Sequence, residues 1–189
     1  MALTETPAGQ IGMIAPDFAL KGTDEKIWTR DECTAKNGLV VMFICNHCPY
    51  VKAIQSRLVE DASELIRMGV GVVAINANDA QAYEEDSLEN MKLISQLVGY
   101  PFPYLIDESQ SIAKAYGAVC TPDIFAFDKS LKLKYRGRLD ESGRNPPSKN
   151  MKHELIEAME LIISTGEGPE NQVPSIGCSI KWKADNISE

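Results

Sequence analysis

Two cysteines separated by two residues stand in FICNHCPYV, residues 43–51, directly after the apolar run GLVVM. Sulfurs at this spacing suit a dithiol that closes to a disulfide, half of a metal site, or two thiols buried side by side. A thiol attacks well only as the thiolate. A strand-to-helix junction stabilises that form, because unpaired backbone N–H groups and the positive end of the helix dipole point at the sulfur. Cys45 is placed at such a junction. Cys48, one turn further on, reaches Cys45 for a disulfide without large movement where the backbone begins to coil. Pro49 suits a first helical turn, since the N–H it lacks would have no partner there. His47 can set positive charge beside both sulfurs, which lowers a thiol pKa and makes the disulfide more oxidising. Buried cysteine is common at a core strand end, but a CxxC between a strand and a helix favours redox chemistry. With one CxxC rather than two, structural zinc is disfavoured. No GxGxxG or P-loop is present, so no organic cofactor is indicated.

The elements that must hold this segment alternate. Leu39 to Ile44 reads as a buried strand, and from Pro49 a helical period sets Val51, Ile54, Leu58 and Leu65 opposite Lys52, Arg57, Glu60 and Glu64 until Gly69. Val70 to Ile75 is a second buried strand. Asp86 or Ser87 caps a helix with the stripe Leu88, Met91, Leu93, Ile94 and Leu97, ending at Gly99. A short strand over 101–106, a helix from Asp107 to Tyr116, and a strand pair (Asp123 to Phe127, Leu131 to Tyr135) turning at Asp128-Lys129-Ser130 follow. Ser148 is expected to cap a last helix through about Ile163, with Met151, Leu155, Met159 and Ile162 inward, before an irregular, turn-rich tail over about 165–189. The expectation is one α/β domain over 1–189, a mixed central sheet with helices on both faces. In such sheets the functional crevice lies beyond the carboxyl ends of the parallel strands, where FICNHCPYV falls.

The chain as a whole narrows the partners. A net charge of −8 and a pI near 4.9 work against nucleic acid and anionic membranes. The first residues, MALTETPAGQIGMIAPDF, carry neither a basic n-region nor an apolar h-region, and no run of 18 apolar residues occurs. A cytoplasmic location is therefore expected. Five cysteines, an odd number, suit reduced thiols with a chemical task more than a disulfide framework.

Strand, CNHC, proline and helix, with Thr121-Pro122 opening a later strand, resemble the thioredoxin superfamily. The opening IGMIAPDFAL, with Pro16, Asp17 and Phe18, is similar to the start of its redoxin branch, the thiol-specific-antioxidant and peroxiredoxin-like proteins. The extra strand and helix over about 70–98 match the insertion of that branch, and the resemblance covers roughly 9–164. It implies a thioredoxin-like fold in which Cys45 attacks and Cys48 resolves. It also implies that Pro122 is cis and that the backbone at Thr121 pairs with an extended substrate. Two positions depart from the pattern. The acid that thioredoxins bury before the CxxC would fall near Leu39, and the preceding tryptophan is Ile44. Proton transfer then needs another group, for which His47, Asp79 and water are the candidates.

If that resemblance holds, the loop carrying Cys120 faces the CxxC. Cys45, Cys48, Cys120 and His47 then make a candidate set for zinc, copper(I) or an iron–sulfur cluster, and Cys120 is alternatively a third redox thiol. Cys178, in PSIGCSIKW, is a candidate resolving partner or a thiol packed with Trp182. Asn76, Asn78 and Asp79 read as a polar rim or as turn caps, Arg138 and Asp140 as a surface pair, His153 as solvated or capping, and Cys33 as a residue of a short polar helix. A peroxiredoxin alignment would set its peroxidatic cysteine at Cys48, yet its Pro-x-x-x-Thr segment has Val41 and Cys45 instead. The leading expectation is a thiol–disulfide oxidoreductase acting on a disulfide-containing protein or a small-molecule thiol. A thiol peroxidase comes second, and a metal or iron–sulfur protein using Cys45, Cys48 and Cys120 third. The electron donor and oligomeric state stay open.

Overall fold

Alternation at period two builds the centre of the molecule. Within the run Leu39 to Phe43, Leu39, Val41 and Phe43 face one apolar core while Val40 and Met42 face another. A strand covered on both faces reads as continuously apolar, and all five of its residues are buried. The computed structural model describes residues 3–186. Its strands are β1 (Leu3–Glu5), β2 (Ala19–Gly22), β3 (Ile27–Thr29), β4 (Leu39–Phe43), β5 (Gly71–Asn76), β6 (Tyr104–Ile106), β7 (Cys120–Thr121), β8 (Asp123–Phe127), β9 (Leu133–Gly137) and β10 (Ile176–Ser179). The helices are α1 (Arg30–Cys33), α2 (Pro49–Arg67), α3 (Leu88–Val98), α4 (Ser111–Tyr116) and α5 (Glu154–Thr165).

The main sheet runs β3-β2-β6-β5-β4-β8-β9. β4, β5 and β6 are mutually parallel, while β8 lies antiparallel against β4 and the outer strands are also antiparallel. The mixed sheet expected from the sequence is therefore present. α2, α3 and α5 cover one face through Leu58, Leu65, Met91, Leu155 and Met159. α1 and α4 cover the other through Cys33, Ala113 and Tyr116. Among the described residues no helix is long and apolar enough to cross a membrane.

A second, three-stranded sheet has the order β1-β10-β7 and joins the two ends of the described chain. It corrects the expectation of an irregular tail: Ile176–Ser179 is a strand paired on both sides, with Cys178 opposite Leu3 on one and Thr121 on the other. Gly and Pro around it mask a segment whose order comes from tertiary pairing.

Other boundaries also move. The last helix starts at Glu154 and is preceded by His153, so neither Ser148 nor Met151 belongs to it. Asp140 fixes the preceding segment as a loop by accepting from the Ser142 and Gly143 N–H groups at 2.9 and 3.0 Å. His153 does not cap with its side chain; its Nδ1 lies 2.8 Å from Asp61 Oδ1. Arg138 and Asp140 do not pair with each other. Arg138 bonds Glu154, and Asp140 sits wholly buried against Arg57 Nε at 2.7 Å. On α3 only Met91 is fully buried, whereas Leu93 and Leu97 face outward. Ser87 rather than Asp86 caps that helix, accepting from the Asn90 N–H.

Candidate active site

β4 delivers the chain to the carboxyl edge of the sheet, and Ile44 still donates to Ile75 O at 3.1 Å. Cys45, Asn46 and His47 then form a bend rather than a helical turn, so α2 begins only at Pro49, with Cys48 as its N-cap. The helix start expected next to Cys45 thus falls next to Cys48, and the Val51 amide is one of the influences that lower the Cys48 pKa. The helix starts here because the proline follows the second cysteine, and a proline at the first helical position sets where a helix can begin.

The two sulfurs share a proton unequally. Cys48 is held well below the ordinary thiol range, first by the hydrogen bond from the Cys45 thiol, then by Thr121, Val51 N–H and the Cys178 thiol, all against the penalty of burial. Cys45 is pushed well above that range by the same bond with Cys48, by burial and by the negative charge of Asp86. One contact opposes the assignment: Cys48 Sγ lies 3.1 Å from the Thr121 carbonyl oxygen, which suits a thiol and repels a thiolate. Thr121 also sets its hydroxyl 3.3 Å from Cys45 Sγ, and its peptide bond to Pro122 is cis. Both cysteines are nearly sealed, at 2% and 0% exposure. Beside them a groove of about 500 Å³ touches Tyr50, Pro122, Arg138, Arg144 and Ile176, and neither cysteine lines it.

The residues between the sulfurs are anchored by a segment that sequence spacing did not single out. Asp86, wholly buried on the 3-10 turn Glu84–Asp86, accepts from Asn46 N–H at 2.7 Å through Oδ1. Its Oδ2 accepts from Asn78 Nδ2 at 2.7 Å and lies 2.6 Å from His47 Nδ1. A carboxylate only accepts, so the ring proton is on Nδ1. Such bonds are what allow a carboxylate to be buried. Asn46 further donates to Glu85 O at 2.7 Å and accepts from Tyr104 OH at 3.1 Å. The His47 ring stacks on Tyr83, 5.2 Å between centroids, with its side chain 9% exposed and Nε2 without a partner. Asp86 was legible only as a helix cap, and nothing in the spacing marks Tyr83 or Tyr104. Asn78 does belong to this polar rim. Asp79, considered as a proton acceptor, instead caps a turn, with its carboxylate accepting from Gln81 N–H.

The candidate metal set is not brought together as expected. Ligand atoms of Cys45, His47 and Asp86 lie within 4.8 Å of one another, but Cys120 is outside this group. The Cys120 thiol donates instead to Pro122 O at 3.6 Å, and burial raises its pKa. The Asp86 oxygens already serve three donors, the Asn46 N–H, the Asn78 amide and the His47 ring. Cys33 lies in the opposite core, where burial pushes its thiol to about 12. Cys178 is brought to the pair, in hydrogen-bonding reach of the Cys48 sulfur.

Comparison with known proteins places this geometry. Residues 11–136 match the model of the AhpC/TSA family. The chain is 25% identical over 131 residues to the thiol-disulfide oxidoreductase ResA of Geobacillus thermodenitrificans, covering 69% of this chain and 71% of that protein. A solved structure described as an uncharacterized conserved protein from Geobacillus kaustophilus superposes with a TM-score of 0.92 at 46% identity, over 97% of this chain and 98% of that one. The thioredoxin domain of a thiol-disulfide oxidoreductase from Bacteroides vulgatus superposes with a TM-score of 0.63 at 12% identity, over 82% and 99% of the two chains. The fold is thioredoxin-like.

Proposed function

We propose that the chain, which belongs to the AhpC/TSA family, is a thiol–disulfide oxidoreductase whose working sulfurs are Cys45 and Cys48. The observation that carries this reading is the placement of both sulfurs beyond the carboxyl end of β4, Cys48 as the N-cap of α2, with one residue touching the pair: Thr121 sets its hydroxyl 3.3 Å from Cys45 Sγ and its carbonyl oxygen 3.1 Å from Cys48 Sγ. In the proposed cycle Cys48 thiolate attacks one sulfur of a substrate disulfide, a mixed disulfide forms, and the first substrate thiolate leaves and takes up a proton. Cys45 then loses its proton, attacks Cys48 Sγ and displaces the second substrate thiolate, leaving a Cys45–Cys48 disulfide and a dithiol product. His47 is the proposed acceptor of the Cys45 proton. Asp86 holds its Nδ1–H, and the buried Nε2 is an open acceptor within the same cluster. Thr121 and Pro122 form the proposed substrate edge, a disulfide-bearing protein or small-molecule thiol is the proposed substrate, and the cytoplasm the proposed compartment.

Trapping tests the order of attack. Incubated with a disulfide substrate, Cys45→Ser should accumulate a mixed disulfide on Cys48. Accumulation on Cys45 in Cys48→Ser, with none in Cys45→Ser, would reverse the roles. Absence of both would remove the activity.

A second reading, a thiol peroxidase, is favoured by the same placement of Cys48 as an N-cap with the Thr121 hydroxyl alongside. Peroxide would then oxidise Cys48 to a sulfenic acid, which Cys45 would condense with, releasing water. Dimedone labelling of Cys48 in Cys45→Ser after peroxide treatment checks it.

A further inference from the structure

The strand β10 takes up the edge of β7 beside Pro122, the same backbone edge proposed above for a substrate. Cys178 lies directly opposite Thr121 in this pairing, and Thr121 O is 3.1 Å from Cys48 Sγ. Cys178 is only 2% exposed, its acidity is tied to that of Cys48, and the three sulfur-bearing residues belong to one apolar cluster. The approach of the strands is close. A Cβ on Gly177 would lie 2.0 Å from Thr121 O, so only glycine lets β10 seat here. Beyond β10 the chain stays pinned: Ile180 N–H donates to Val119 O at 3.1 Å, and Lys181 N–H to Asn78 Oδ1 at 2.9 Å, tying the tail to the segment that holds Asp86. Cys178 is thus held in place and not carried on a loose end.

We propose that Cys178 is a third redox sulfur, presented by β10 in the register of an incoming substrate strand, and that it takes over the Cys45–Cys48 disulfide to give a Cys48–Cys178 disulfide. The proposal rests on the oxidoreductase reading and deepens it. In the step, Cys178 gives up its proton and its thiolate attacks Cys48 Sγ. The Cys48–Cys178 bond forms, the Cys45–Cys48 bond breaks, and the electron pair leaves on Cys45, which takes up a proton. The net change is an isomerisation that needs no outside oxidant. Charge works in its favour once the first disulfide has formed. Burial, then the hydrogen bond and negative charge of Cys48, push the Cys178 thiol up to about 11, while Lys181 pulls it down. Both contributions of Cys48 disappear when its charge is consumed in a disulfide. The product adds a covalent tie to the pairing that β10 already makes with Thr121, while Cys45 is again a thiol.

Disulfide mapping tests this directly. The full chain is oxidised with diamide, a two-electron thiol oxidant, quenched with an alkylating agent, and digested with trypsin under non-reducing conditions. Cys45 and Cys48 fall in the peptide 37–52 and Cys178 in 153–181, so the new disulfide joins two peptides that the first leaves separate. Wild type should show a fraction of the joined species. Cys45→Ser should raise that fraction and Cys48→Ser should lower it, a difference of about tenfold if the Cys48 sulfur is the one that Cys178 reaches. Gly177→Ala, which keeps all three sulfurs, should lower it by a similar factor, with circular dichroism verifying that each variant is folded. A Cys45–Cys48 disulfide in wild type with no joined peptide in wild type or Cys45→Ser overturns the third sulfur and leaves the oxidoreductase reading intact. Joining that persists in Cys48→Ser and vanishes in Cys45→Ser overturns the choice of Cys48. Failure to form even the Cys45–Cys48 disulfide overturns the reading on which the proposal rests.

Discussion

Cys48 is the residue on which the proposed chemistry turns, and its altered acidity must also appear as stability. A thiol whose pKa is lowered on folding to about 4, against an ordinary value of 9.0, is charged in the native state while still protonated in the unfolded chain. The unfolded state therefore binds the extra proton between those values. The stabilisation is full above the ordinary value and is lost as pH falls toward about 4. The difference in urea-unfolding free energy between wild type and Cys48→Ala should accordingly be larger at about pH 8 than at about pH 5. A flat or inverted difference would contradict the assignment. The Cys45 pKa moves in the opposite direction and acts above its ordinary value, outside this window. Replacing Cys45 with Ala removes the largest influence holding Cys48 down, so the Cys48 titration should move upward, read by the pH dependence of its alkylation rate.

Asp86 carries the other residue-scale prediction. Asp86→Ala leaves the Asn46 N–H, the Asn78 amide and the His47 ring without their acceptor in a buried place. The expected loss is about 3 kcal/mol or more in chemical unfolding. Removing that charge also removes one influence that raises Cys45, so the Cys45 titration should move down. That Cys45 and Cys48 lie near each other, with His47 between them, was legible from type and spacing alone. Asp86 was not, because the sequence shows it as one acid among several in EEDS, and only the fold brings it back over Asn46.

At the scale of elements, burial decides which ion pairs count. Arg57 on α2 meets Asp140 and the Gly143 carbonyl with its side chain 7% exposed, whereas Arg67 on the same helix meets Glu64 on the surface. Arg57→Ala should cost roughly 3–5 kcal/mol by leaving Asp140 charged and unpaired, and Arg67→Ala about 0–1 kcal/mol, both read from urea midpoints. The central elements were legible because their signals are periodic and long: β4, α2 and β5 fall close to where apolar pattern and glycine stops place them. The late start of α5 was hidden, since Ser148 offers a local cap that the Asp140 loop overrides. β10 was hidden for a different reason. A four-residue strand flanked by Pro174 and the tail has no pattern of its own and forms by pairing with β1 and β7.

On the scale of the whole molecule, β1 and β10 come from opposite ends of the chain, and β10 places itself beside the site. Ending the chain after residue 174 removes Cys178 and its hydrogen bond to Cys48, together with the backbone that Asn78 holds. The truncated protein should melt at lower temperature and alkylate at Cys48 about tenfold faster, because local opening of this edge no longer requires breaking two strand pairings.

The bend at Asn46 and His47 is also a joint between distant stretches of chain. A dipeptide between two sulfurs would ordinarily be free to change with the electron affinity wanted of the disulfide, but here both of its members are tied to Asp86, and Asn46 also to Glu85 O and Tyr104. Under the proposed function, redox poise and mechanical cohesion become one heritable trait: substitutions here that retune the proposed couple should also loosen the scaffold.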